Sequence, residues 1–320
     1  MNAPLGSIPL VSIIVPLYNH AKYIEATLES FISEGHPNLQ VVIIDDGSQD
    51  DSFDVAQAWF ASHPKVFTNF VLERQENVGI TKTLNRLLTR CTGEFITMVA
   101  SDDLLLPGGI QARLDALERR PDWLSVFGDA TMIDEQGLQT ATSALCEIDH
   151  SNLKALEHDH LRTQELILRW SVPGPVLLSR REAFDSERGV GLYDETMFIE
   201  DRDLYLRLLA RNTLGFVKQA VAAYRMHTRN TIAAPAAQAR VYKSMFEAES
   251  KHRQQFTGMN RWALELMRVH SQQNLKRVES HSFAWLMSIF SLSGLEIARR
   301  LWNLVQDLTV LMAKELMAKN

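Results

Sequence analysis

Two adjacent carboxylates, Asp102 and Asp103, stand between the apolar run Phe95 to Ala100 and the segment Leu104-Leu105-Leu106-Pro107. A strand that delivers such a pair to its C-terminal end makes a site for a hard cation. In a parallel α/β sheet that edge is where ligands bind, and paired carboxylates with open coordination positions suit Mg²⁺ or Mn²⁺ carrying a diphosphate. The same dipeptide also serves as a solvated turn or a helix N-cap. Its meaning therefore depends on what other strands bring to the same edge.

The first apolar segment, Val11 to Val15, runs into Pro16-Leu17-Tyr18-Asn19, where a turned backbone and an aromatic ring can meet a flat ligand; a plain turn explains it equally. The second ends in Asp45-Asp46-Gly47-Ser48. Asp and Ser there can cap the helix that follows, and Gly can turn the chain. The second carboxylate can also accept from an imide N–H such as that of uracil, with Gly47 letting the base come close. Three successive strand ends thus carry polar groups, and adjacent ends of one sheet converge on one crevice. Neither G-x-G-x-x-G after the first strand nor G-x-x-x-x-G-K-[ST] is present, which removes the main support for dehydrogenase and P-loop readings. A diphosphate bound without a glycine nest needs its charge offset by a metal, and Asp102-Asp103 suits that task.

These groups need strands behind them and helices between. Val11 to Val15 is followed by a helical pattern at Ile24, Leu28, Phe31 and Ile32. Val41 to Ile44 precedes one around Val55, Ala56, Trp59 and Phe60, and Phe70 to Leu72 precedes Ile80, Leu84, Leu87 and Leu88. Continuous apolar strands alternating with amphipathic helices predict an α/β fold with a mostly parallel sheet covered on both faces. Past Pro107 comes a helix with Ile110, Leu114 and Leu117, then a strand at Leu124 to Gly128. A further strand is expected at Met132 to Gly137, and residues 140–165, polar and His-rich, read as a mobile region over the site. A short strand at Val176 to Leu178 and a helix from Arg202 to Ala210 follow, and only helices are expected after Arg229.

Composition bounds the class. The 320 residues, 46% hydrophobic, can bury one large core or a main domain plus an appendage. Two cysteines without metal-ligand spacing fit a reducing compartment, so the cytoplasm is expected. No signal peptide or bilayer-spanning run is read. The net charge of −6 is uneven: residues 231–320 carry 12 Lys and Arg against 7 Asp and Glu, leaving 21 against 32 in residues 1–230.

In this order and spacing, VSIIVPLYN, VVIIDDGSQDD, ENVG, TGEFITMVASDD and FIEDRDLYLRL resemble the GT-A fold glycosyltransferases of family 2, over roughly residues 9–230. The resemblance implies a GT-A, Rossmann-like catalytic domain at 1–230, with a nucleotide-binding half to about 106 and an acceptor half from 107. Residues 231–320 would be a helical C-terminal extension. It implies that Asp46 contacts the nucleotide base, with Pro16, Tyr18 and Asn19 bordering base and ribose and Asn77, Gly79 and Lys82 in a loop near the nucleotide. Ala100-Ser101-Asp102-Asp103 matches the DXD-type motif. Asp103 is then the expected ligand of a divalent cation, Mn²⁺ or Mg²⁺, and Asp102 contacts ribose or a metal-bound water. His227 matches a position near the metal or diphosphate, and Arg225 or Arg229 can neutralise the departing diphosphate.

The family's catalytic base corresponds to the pair Glu200-Asp201, with Asp201 as the expected base. Inversion at the anomeric carbon needs an acceptor hydroxyl attacking opposite the leaving diphosphate and a carboxylate to take its proton. The competing reading is that Glu200, Asp201 and Asp203 simply favour a helix N-terminus. Trp170, Pro173 and Gly174 fall where the family lines the acceptor pocket; a core tryptophan is the alternative.

The implied partners are a nucleotide diphosphate sugar, a UDP-sugar first, and a carbohydrate or lipid-linked acceptor in bacterial surface polysaccharide assembly, with no nucleic acid. An apolar stripe from Ile297 to Met312, with Trp302 beside Arg299 and Arg300, suits packing on the body, a homodimer contact or an anionic membrane surface. Two other readings compete: a sugar nucleotidyltransferase, which lacks its glycine-rich basic first loop here, and an inactive binding homologue or partner subunit.

Overall fold

The computed structural model describes residues 8–67, 69–170, 172–227 and 237–279. The stripe from Ile297 to Met312, Trp302 and Arg229 lie outside the described residues. From the N-terminus, β1 (Val11–Leu17), α1 (Ile24–Glu34), β2 (Leu39–Asp45), α2 (Ser52–Ser62), β3 (Asn69–Arg74), α3 (Ile80–Arg90) and β4 (Phe95–Met98) alternate as the apolar runs require. Then follow β5 (Leu104–Leu105), α4 (Gly109–Arg119), β6 (Ser125–Ile133), β7 (Gln139–Ala141), α5 (Ala144–Asp149), α6 (Leu153–Leu156) and α7 (Asp159–Leu168). The order closes with β8 (Leu177–Arg180), α8 (Glu200–Ala210), β9 (Leu214–Arg225), α9 (Gln238–His252) and α10 (Gly258–Glu279).

Among the described residues these strands form one sheet in the order β3-β2-β1-β4-β8-β6-β9-β5, with β7 on β6. β1 to β4 pair in parallel, β8 runs antiparallel between β4 and β6, and β9 is parallel to β6. The C-terminal ends of β1, β2, β4, β6 and β9 therefore share one edge. Residues 99–103 lead from β4 directly to β5, which pairs with β9 at the far end of the path through Leu104 opposite Ala223. The acidic dipeptide thus sits where the curled sheet closes on itself.

Both faces are covered, which is why the strands read as unbroken apolar runs. Val11, Ile13, Val15, Val41 and Ile43 pack with α1, α2 and α4 on one side. Ile14, Val42 and Ile44 face the other core with α3, α7, α8 and the C-terminal helices. Cys91 and Cys146 are both free. Among the described residues no helix is long and apolar enough to cross a membrane.

Three expectations change. β6 is one nine-residue strand running to Ile133, so Met132 does not begin a separate one. Residues 140–165 are not a mobile cover: Ala144, Leu145, Ala155, Leu156 and Leu161 are buried. They are spread over three short helices, so no single helical period marks them in the sequence. The twelve-residue β9, with the polar and small residues Lys218, Gln219 and Ala220 at its middle, breaks the apolar pattern and escapes that reading altogether.

The C-terminal helices bind to α8 through buried charge. Arg202 and Glu249 are both 0% exposed, with Nη2 3.2 Å from Oε1, and Arg202 also donates to the carbonyls of Leu166 and Ile167. Burial disfavours the charged form of Glu249 and raises its pKa, against Arg202 and the Ser271 hydroxyl. Glu249→Ala would leave the Arg202 guanidinium buried without its counter-charge. Chemical denaturation should show a loss of about 3–5 kcal/mol. Glu247→Ala, which removes an exposed partner of Lys243, should cost less than about 1 kcal/mol; equal costs would contradict the account.

Candidate active site

The turn after β1 is built by Asn19, which takes φ 54, a left-handed conformation that Asn tolerates better than most residues. Its N–H donates to Ser48 Oγ (2.9 Å) and its Oδ1 accepts from Gln49 N (2.8 Å), stitching the ends of β1 and β2 together. Tyr18 is exposed and Pro16 half-buried beside it. Asp45 does not cap α2, which starts at Ser52; its Oδ1 accepts from Gly47 and Ser48 N–H in a tight turn. Gly47 has φ 74, and a Cβ there would come within 2.9 Å of Asn77 N, so its bareness admits the neighbouring chain.

Asp46 is buried and anchors the loop between β3 and α3. Its Oδ1 accepts from Val78 N (2.8 Å) and Gln75 Nε2 (2.7 Å), and its Oδ2 from Gly79 N (2.9 Å). An oxygen holding one N–H keeps a lone pair for a further donor. Asn77 and Lys82 are exposed on the same loop and the first turn of α3.

At the next strand end, the two acidic residues divide their tasks. Asp103 is 1% exposed, and its Oδ1 accepts from Arg225 N (2.8 Å). Burial, then the charge of Asp102, pushes its pKa well above the carboxylate range, against the Arg225 N–H and guanidinium. Asp102 turns the other way: Oδ2 lies 2.8 Å from His227 Nε2, and Oδ1 3.7 Å from His20 Nδ1. Asp102, and not Asp103, is thus the member of the pair that faces His227. Among the described residues, donor atoms of His20, Asp102 and His227 lie within 4.8 Å of one another, and Asp103 is outside that group. Arg225 ties the cluster down, with Nε on Asp102 O (2.7 Å), Nη1 on Asp134 O (2.9 Å) and its guanidinium over the Tyr23 ring. Tyr23 in turn stacks on His227. His20 was missed in the sequence although it directly follows Tyr18-Asn19 at a strand end already marked as polar.

Glu200 and Asp201 form the first turn of α8. Within this turn Asp201 Oδ1 accepts from Arg202 N (2.6 Å), and just before it Ser244 of α9 accepts from Phe198 and Ile199 N–H (3.0 and 2.9 Å). Asn85 of α3 holds the preceding loop through Tyr193 N and O. Asp201 lines a small cavity with Met98, Pro173, Gly174, Tyr193 and Tyr205. Trp170 is half-buried and packs edge-to-face on Tyr205 (4.7 Å), with the Arg202 guanidinium over its ring. Arg180 donates to the carbonyls of Leu117 and Trp123 at the opposite end of β8, away from this edge.

The acidic residues of α8 have different environments. Burial first, then mutual repulsion, lifts Glu200 to about 8; burial lifts Asp201 to about 6, against its Arg202 neighbour. Two such carboxyls hold the first proton jointly. Asp203 is structural: burial opposes its charge, yet a hydrogen bond from His252, the charge of Arg207 and Lys251 hold it below the usual range. Because Glu200 is raised from 4.5 to about 8, the folded chain binds more protons in that window. Its favourable contribution is complete below the lower value and is lost as pH rises through the upper one. Denaturation between pH 5 and pH 8.5 should show wild type losing stability relative to Glu200→Gln; parallel pH dependence would refute this.

Residues 12–184 match the model of glycosyl transferase family 2. Over 136 residues the chain is 36% identical to the chondroitin synthase of Escherichia coli, covering 42% of this chain and 19% of that protein. The chain thus spans about a fifth of that curated relative. The mannosyltransferase PcManGT from Pyrobaculum calidifontis, solved with GDP-Man and Mn²⁺, superposes with TM-score 0.65 at 16% identity, over 92% of this chain and 81% of that one. S. aureus TarS 1-349 in complex with UDP-GlcNAc superposes with TM-score 0.58 at 18% identity, over 86% and 73%. These structural likenesses show the shared GT-A fold, and with more than half of its length matched by the family model the chain belongs to glycosyl transferase family 2.

Proposed function

We propose that this chain transfers a sugar, with inversion, from a nucleotide diphosphate sugar to a hydroxyl of a carbohydrate or lipid-linked carbohydrate. The observation that carries the reading is the convergence on one sheet edge of Asp46, Asp102 and His227, with the half-buried Asp201 lining the cavity beside Met98 at the end of β4. The GDP-Man and UDP-GlcNAc held by the two structural neighbours support a nucleotide sugar donor. UDP is the preferred base partner because the free lone pair on Asp46 suits an imide N–H. Pro16, Tyr18, Asn19, Asn77 and Lys82 would border the nucleotide. The expected setting is polysaccharide assembly at the cytoplasmic face of the envelope, in line with the chondroitin synthase likeness.

A divalent cation fits the donor set of a carboxylate and an imidazole, so Asp102 and His227 would hold it, with Asp103 behind them fixing the strand end. When bound it supplies positive charge to a departing diphosphate. The chain's own residues do the rest. Asp201 takes the proton of the acceptor hydroxyl on a carboxylate oxygen, and its raised pKa keeps it basic near neutral pH. Glu200, protonated at that pH, keeps the second charge from opposing it. Arg225 remains fixed beside the diphosphate region and balances the acidic dipeptide.

Turnover of UDP-sugars, read as UDP release by hydrolysis or transfer, tests this. Asp201→Asn should lower kcat about 10²–10⁴-fold with donor binding unchanged. The wild-type rate should rise with pH through about 6, the value of Asp201. Turnover by Asp201→Asn at the wild-type rate would remove Asp201 as base. Wild type that binds UDP-sugars but never turns them over would favour the inactive binding homologue.

A further inference from the structure

We infer that His20 is a third protein ligand of the divalent cation, carried into the site by the nucleotide-side turn after β1, and that the resulting two-imidazole set selects Mn²⁺ or Co²⁺ over Mg²⁺. The inference rests on the metal-dependent reading of the site and goes beyond it in naming the ligand and the ion.

The Asp102 carboxylate lies between two imidazoles, one facing each oxygen: His20 Nδ1 at 3.7 Å from Oδ1 and His227 Nε2 at 2.8 Å from Oδ2. The two rings stand at 89° with centroids 5.8 Å apart. Donor atoms bound to one ion at about 2.1 Å lie about 3 Å apart when adjacent and about 4.2 Å when opposite. The group's span of 4.8 Å needs only a small inward adjustment to meet that. His20 is held for such a role. Its backbone N–H donates to Ser52 Oγ (2.8 Å), the next N–H donates to Asp50 Oδ2 (3.1 Å), and its carbonyl accepts from Tyr23 and Ile24. Its ring Nδ1 lies 2.8 Å from Ser101 Oγ, a hydroxyl that can rotate away when a cation takes the lone pair.

Charge argues the same way. Asp102, backed by the buried Asp103, makes this edge acidic, Arg225 is held against it through its backbone N–H and guanidinium, and the imidazoles are neutral when they act as ligands. A diphosphate arriving here meets net repulsion unless a cation stands between. The His20 side chain is 21% exposed while that of His227 is 2% exposed, so the open side for diphosphate and water lies next to His20. Imidazole nitrogens favour transition metals, whereas Mg²⁺ prefers oxygen ligands and keeps its waters.

Pulsed EPR of Mn²⁺ added to the full 320-residue chain, with and without UDP, counts the bound imidazole nitrogens. Two are expected in wild type and one in His20→Gln, whose Mn²⁺ affinity should fall about tenfold or more, and Mg²⁺ should compete poorly. One nitrogen in wild type with Mn²⁺ still bound, or two in His20→Gln, would overturn the role of His20 and leave the metal-dependent reading standing. No Mn²⁺ bound under either condition would overturn both. Should His20→Gln fail to fold by circular dichroism, the wild-type nitrogen count decides alone.

Discussion

The site depends on one constraint: two adjacent carboxylates must be kept at the seam where the curled sheet closes, and Arg225 is what keeps them there. The guanidinium binds the Asp102 and Asp134 carbonyls while its own N–H binds the Asp103 carboxylate. This one residue at the end of β9 therefore fixes the loop that follows β4. Asp103 turns toward the Arg225 N–H, and Asp102 toward His20 and His227. Replacing either partner would leave charge buried and unpaired, which is costly enough to reshape the edge.

A second consequence of the fold is that the helices after residue 236 belong physically to the catalytic machinery they follow. Ser244 holds the chain entering α8 through the Phe198 and Ile199 N–H groups, and Glu249 neutralises Arg202 behind the acidic turn. Lys251 and His252 occupy Asp203, and of the three acidic residues on that turn Asp201 is the one that lines the cavity. An extension beyond the shared family core thus sets the position of the proposed base. A division of the chain at 230 would cut through these contacts, and we propose that residues 237–279 form part of one unit with α7 and α8.

Much of this was legible in the residues. The β-branched runs gave β1 and β2 because a parallel sheet buried on both faces needs unbroken apolar strands, and the polar residues closing each run marked the ligand edge. Other features are set by contacts far apart in sequence and leave no local trace. β9 is a strand because β6 and β5 pair with it, despite Lys218 and Gln219 in its middle. Which member of Asp102-Asp103 faces the histidines depends on how the chain turns after β4, and a bare dipeptide carries no sign of that. His20 became visible only once the ends of β1, β4 and β9 were seen side by side.

The central claim is that this edge binds a nucleotide diphosphate through a cation held at Asp102. Calorimetry of UDP, GDP, CDP and dTDP, with and without Mn²⁺, on wild type and Asp102→Asn tests it most directly. The account predicts UDP binding that requires Mn²⁺ and is lost in Asp102→Asn, with the chain still folded. Equal binding with and without the metal, or no nucleotide binding by wild type under any condition, would contradict it.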